Sequence, residues 1–120
     1  MARPHEKLDA WREAMKLVRT VYTSTRTFPK EELFGLVSQM SRAAVSVPSN
    51  IAEGAARTSR KEFAQFLNIA KGSLSELETQ LLISVDLGYL NPKEEAFDLV
   101  EKVTKLVSGL HRKVAGGDTK

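Results

Sequence analysis

Apolar positions recur every three or four residues through almost the whole chain, the spacing of helices that bury one face. In the first such stretch, about Leu8 to Arg26, Trp11, Ala14, Met15, Val18, Val21, Tyr22 and Thr25 fall on one arc. Phe28-Pro29 closes it. Pro29 suits the first position of a second helix, and Glu31 and Glu32 suit its positive end. Leu33, Leu36, Val37, Met40, Ala44, Val47 and Ile51 form that helix's core stripe. Pro48 lacks an N–H and crowds the carbonyl four residues back, so the pattern predicts a kink there, with the stripe resuming at Ile51. The helix is expected to finish between Gly54 and Arg57.

Ser59-Arg60-Lys61-Glu62 reads as a capping box, in which the serine caps the amide three residues on and Glu62 reaches back. A third stripe follows: Phe63, Phe66, Leu67, Ala70, Leu74, Leu77, Leu81 and Val85, stopped by Leu87-Gly88. Asn91 as cap and Pro92 as first residue predict a fourth helix, with Ala96, Leu99, Val100, Val103, Leu106, Val107, Leu110 and Val114 inward. Nothing alternates with a period of two. The prediction is an all-α, antiparallel up-down-up-down four-helix bundle over residues 8–114, with a flexible tail at 1–7 and a disordered one at 115–120.

Composition narrows the chemistry. A chain of 120 residues with 42% hydrophobic content suits one domain with a real core. The absence of cysteine removes disulfides and thiolate metal sites, and suits a cytoplasmic protein. No apolar run is long enough for a signal peptide or a membrane span, so no membrane partner is expected. A carboxylate di-metal bundle needs inward Glu and Glu-x-x-His motifs. Here the inward stripes carry no carboxylate, and His5 and His111 sit at opposite ends of the chain. Glu76 and Glu78 lie about 200° apart around a helix, too far to act as a pair. Gly-rich phosphate loops are missing too. The sequence therefore predicts no enzyme, no metal site and no cofactor.

The outward faces carry the remaining information. Arg12, Lys16, Arg19 and Arg26 align as one basic stripe on the first helix. Such a stripe can neutralise nucleic-acid phosphates. It can equally be a solvated face partnered by Asp9 and Glu13. Between Gln39 and Ser75, five basic residues oppose two acidic ones; between Glu76 and Glu101, one opposes seven. Arg57, Arg60 and Lys61 thus form a second basic group at the bend between helices 2 and 3. On helix 4, Asp98–Lys102 and Glu101–Lys105 have the i,i+4 spacing of exposed pairs. Phe63, Phe66, Phe97 and Tyr22 all fall on core stripes, which leaves no aromatic platform for base stacking.

The backs of helices 2 and 3 carry few charges. Gly35, Gln39, Arg42, Ser46, Ser49, Asn50 and Glu53 lie opposite one stripe; Gln65, Ile69, Gly72, Ser73, Glu76, Thr79, Gln80, Ile83 and Leu87 lie opposite the other. Small residues admit a partner helix, and Ile69, Ile83 and Leu87 add apolar area unusual for a solvent face. The reading is a self-association surface; its rival is a wider intramolecular core.

Several of these segments are also distinctive as text. Phe28-Pro29-Lys30-Glu31-Glu32, then Gln39-x-x-Arg42-Ala43-x-x-Ser46-Val47-Pro48-Ser49-Asn50-Ile51-Ala52-Glu53-Gly54, resemble the small bacterial four-helix bundle proteins associated with intervening sequences of 23S ribosomal RNA genes. Ala70-Lys71-Gly72-Ser73-Leu74-Ser75-Glu76-Leu77-Glu78-Thr79-Gln80 and Leu87-Gly88-Tyr89-Leu90 extend the match. The resemblance implies a cytoplasmic bundle assembled as a homopentameric ring. It is distantly similar to retroelement accessory proteins that bind nucleic acid and a reverse transcriptase. Within it, Arg42, Ser46, Asn50, Glu53, Glu76 and Gln80 read as a polar ladder in a subunit interface; the rival is an RNA site using Arg42 and Asn50. Two functions are then expected in turn: a non-catalytic oligomer that binds RNA or DNA through repeated basic residues, or a scaffold for an unidentified protein partner.

Overall fold

The computed structural model describes residues 3–116. Four helices dominate it: α1 (Asp9–Ser24), α2 (Leu36–Ala55), α3 (Arg60–Asp86) and α4 (Glu95–Gly116). Single 3-10 turns occupy Pro4–Lys7, Thr25–Thr27 and Lys30–Glu32, and there is no strand among the described residues. Each helix packs on the next, and α4 packs back on α1. Ser46 meets Ser73 while Met40 meets Ser84, so α2 and α3 run in opposite senses past each other. Glu13 with Lys102 and Ser24 with Glu94 show the same for α1 and α4. At 49 × 29 × 19 Å the molecule is two helices thick.

The core follows the stripes of α2, α3 and α4 closely. Met40, Val47, Ile51, Leu67, Leu74, Leu77, Leu81, Val103 and Val107 are fully or almost fully buried. On α1 the buried arc is rotated from the expected one. Ala10, Ala14, Leu17 and Val21 face the core, whereas Tyr22 is 49% exposed. Two alanines on this face let α1 approach its neighbours closely, and the larger Trp11 and Val18 pack from the flanks.

Two helix starts come later than the pattern predicts. Pro29 opens only the 3-10 turn, and Gly35 (φ −111°, ψ −108°) breaks the chain direction before α2 begins at Leu36. The Glu32 carboxylate accepts the Leu36 N–H at 3.4 Å, in place of a cap from Gly35. Leu33 thereby leaves the core stripe and is 54% exposed. At α4, Asn91 Oδ1 accepts the Lys93 N–H at 2.8 Å in a local turn, and the helix starts at Glu95. At α3 the forward half of the capping box forms: Ser59 Oγ accepts the Glu62 N–H at 3.2 Å.

α2 continues through Pro48, which is buried. At the helix's far end Gly54 is enclosed by α3. A Cβ there would come within 2.8 Å of Phe66 Cβ and 2.9 Å of Phe63 Cδ1. Only glycine permits this approach. Residues 4–7, expected in the N-terminal tail, form a 3-10 turn against α1 and α2. Ala115 and Gly116 extend α4, and the rest of the expected C-terminal tail lies outside the described residues.

Candidate functional site

The α2–α3 surface gathers the residues expected of an interface. Gln39, Arg42, Ser46, Ser73 and Glu76 line an open cleft of about 280 Å³ between the two helices. On its floor the Ser46 and Ser73 hydroxyls are 2.8 Å apart. Asn50 Nδ2 donates to the Ser46 carbonyl at 2.8 Å and to its hydroxyl at 2.9 Å. Ile69 and Ile83 stand exposed on α3, and a Cβ on exposed Gly72 would touch nothing within 4 Å. Arg42 carries no ion pair among the described residues. Glu53 is held by Arg57 at 2.5 Å.

Gln80 differs from its expected neighbours because it is buried inside the subunit. Its Nε2 donates to Glu76 at 3.3 Å, while its Oε1 is buried with no hydrogen-bond partner. Ser84 beneath it spends its hydroxyl on the Gln80 backbone carbonyl, at 2.8 Å. An unsatisfied buried acceptor costs free energy until a donor reaches it. The seam is therefore a polar ladder, uncharged along Ser46, Asn50, Ser73 and Gln80, with Arg42 and Glu76 beside it and one acceptor left without a partner.

The basic residues do not form one continuous patch. Arg12 pairs with Asp9 and donates to the Glu6 carbonyl; Lys16 pairs with Glu13 at 3.1 Å. Lys102 of α4 reaches the same Glu13 at 3.3 Å, rather than making the expected pair with Asp98. Glu101 and Lys105 do pair, at 3.4 Å. The hydrogen bond from Lys16, reinforced by Lys102 and opposed by partial burial, holds the Glu13 carboxyl below its ordinary pKa. Arg57 lies over the Phe66 ring, 5.0 Å from its centroid. Arg60 donates to the Val114 and Lys113 carbonyls, both at 3.2 Å, tying the start of α3 to the end of α4. Arg19, Arg26 and Lys61 are exposed and without an ion pair among the described residues. Arg26 sits at the Glu94 end of the bundle and Lys61 at the Val114 end, so these cations diverge.

A further feature escaped the periodicity argument. Tyr22, Arg26, Lys30, Leu33, Phe34 and Val37 help to line a groove of about 560 Å³ where α1 turns into α2. Phe34 is 92% exposed, so aromatic surface is available after all. The corner beneath is firm. Buried Phe28 packs against Tyr89 with ring centroids 5.2 Å apart, and the Tyr89 hydroxyl donates to Glu32 at 2.9 Å. That bond, with partial burial, raises the Tyr89 pKa. The signal lay in Phe34 itself, which fits no core stripe.

Among the described residues, no three His, Asp or Glu side chains converge as a metal site, and no helix is long and apolar enough to cross a membrane. The family model described as 23S rRNA-intervening sequence protein matches residues 6–112. The chain belongs to that family. No curated protein matches it. The matched span contains all of α1, α2 and α3 and most of α4, including both faces described above.

Proposed function

We propose that this family member is a non-catalytic, self-associating bundle that holds RNA or other nucleic acid through cations repeated from copy to copy. The observation that carries the proposal is the α2–α3 surface. A hydrogen-bonded hydroxyl and amide strip, flanked by exposed Ile69 and Ile83, combines register-setting polar groups with apolar area. Five copies in a cytoplasmic ring belong to the same proposal, on the strength of the family resemblance. Repetition matters because the unpaired cations of one subunit are scattered over its surface, and linked weak contacts multiply in strength. Surface pairs such as Arg12–Asp9 and Lys16–Glu13 are weak enough for a phosphate to displace the carboxylate.

Light scattering at tens of micromolar protein tests the assembly, with a multiple of 13.3 kDa expected. Gly72→Glu or Ile83→Glu should then give monomers with unchanged helical circular dichroism. A monomeric wild type would remove the oligomer. Binding to RNA and to duplex DNA at two salt concentrations tests the second half. Affinity should fall steeply with salt, and less steeply once Arg19 and Arg26 become alanine. No binding at low salt would leave the scaffold for a protein partner as the better reading.

A further inference from the structure

The groove at the α1–α2 corner combines features found nowhere else on the described surface. Its rim holds the two aromatic rings Tyr22 and Phe34, and its flanks hold Arg26 and Lys30. Neither cation is paired with a carboxylate among the described residues. The nearby Glu32 is occupied by the Tyr89 hydroxyl and the Leu36 N–H, and Glu31 does not line the groove. The charged residues that line the groove itself are both cations. Within the groove, Ser38 and Ser41 provide hydroxyls that can donate or accept. Its volume of about 560 Å³ lies within the range of sites that hold nucleotide-sized ligands.

Three requirements of single-stranded recognition thus meet at one place: a π-face left open to solvent, cations spaced along a rim, and hydroxyls for base edges. A duplex hides its base faces in the stack and could use only the cations. We infer that this corner binds single-stranded nucleic acid, with one or two unstacked bases against Phe34 and Tyr22 and the flanking phosphates on Arg26 and Lys30. The inference rests on the nucleic-acid reading above and assigns it a strand type. Arg26, in the turn that follows α1, lines the groove without an ion pair, whereas Arg12 and Lys16 nearer the start of α1 are paired with Asp9 and Glu13. An apolar segment of a protein partner is the competing occupant, because Leu33 and Val37 also line the groove.

The test uses the whole chain and fluorescein-labelled RNA of about a dozen nucleotides, within the usual footprint of such sites. The same strand with abasic sugars at its centre and the matching duplex are the comparison probes. At matched salt the intact single strand should bind more tightly than either. Phe34→Ser and Tyr22→Ser should each weaken single-strand binding by about 5- to 150-fold, the measured range for loss of one base–aromatic stack. Duplex binding should not change. Phe34 is 92% exposed, so its loss leaves the fold intact, which circular dichroism will confirm. Arg26→Ala should weaken all three probes and flatten the salt dependence by about one phosphate. Equal single-strand affinity in wild type and both aromatic variants would overturn the groove while leaving phosphate attraction standing, and would assign the corner to a protein partner. No binding of any probe at low salt would overturn both readings.

Discussion

Where α1 meets α4, Glu13 bridges Lys16 and Lys102, and hydrophilic side chains close the seam as they close most solvent faces. Where α2 meets α3, the seam is closed by Ser46, Asn50 and Ser73 without a charge among them, and Gln80 leaves an acceptor vacant. The two lysines of that first seam are more than half exposed and keep their water when a partner is lost. A neutral ladder beside exposed isoleucines is poorly served by water and well served by a second protein surface. One bundle thus carries an ordinary seam and an unfinished one. Their glycines differ in the same way, since Gly54 is enclosed between α2 and α3 whereas Gly109 on α4 has only the end of the Arg112 side chain near it.

Replacing these two glycines gives the largest contrast. Gly54→Ala places a methyl against Phe66 Cβ, an atom fixed close to the α3 backbone, so the helices must separate. Overpacking of this kind destabilises by about 1–3 kcal/mol. At Gly109 the nearest atom to an added Cβ is the end of the Arg112 side chain, 3.8 Å away. Gly109→Ala should therefore stabilise by about 0.5–1 kcal/mol through helix propensity alone. Urea unfolding of the two variants measures both. Equal effects would show that α2 and α3 are no more tightly apposed than an open helix face.

Gln80 separates the seam within a subunit from the seam within an assembly. Gln80→Met keeps the side chain's length and removes the unsatisfied acceptor. Removing it should raise the stability of a subunit kept monomeric by Ile83→Glu by about 1 kcal/mol. In the wild-type background the gain should be of the same size, because the amide oxygen is buried inside the subunit, beyond the reach of another copy. Thermal unfolding of Gln80→Met in both backgrounds checks this. A gain that vanishes in the wild-type background would show that the oxygen is reached from outside the subunit.

These contrasts also show what the amino-acid pattern could convey. The stripes of α2, α3 and α4 identify their buried residues because each apolar arc is narrow and flanked by polar positions. The first helix is ambiguous: its apolar arc is wide enough to be centred on Val18 or on Leu17. Alanines 10 and 14, which decide the matter, contribute little hydrophobic weight but allow the closest approach. The corner groove could not be read at all from periodicity. It exists because α2 starts at Leu36 rather than Pro29, and that start depends on a glycine conformation and a carboxylate cap. Lys102 illustrates a different failure. An i,i+4 partner was available in Asp98, but Glu13 on α1 offers a less exposed carboxylate already oriented by Lys16. The polar strip on the backs of helices 2 and 3 was readable, because it carries few of the lysines and glutamates a solvent face normally has.

The smallest effect probes the ordinary seam. Glu13 has its carboxyl pKa lowered in the folded chain, first by the hydrogen bond from Lys16 and then by Lys102. A depressed carboxyl means that the unfolded chain binds the proton more readily. Glu13 therefore contributes stability above the unfolded carboxylate pKa and loses it as pH falls through the folded value. Glu13→Gln should accordingly be less stable than wild type at neutral pH and equally stable in acid. Glu101→Gln, which disrupts an exposed pair on a single helix, should change little at any pH. Unfolding of the three proteins across the acid range supplies the comparison. A Glu13→Gln deficit that persists unchanged into acid would show that this side chain joins α1 to α4 through its packing rather than its charge.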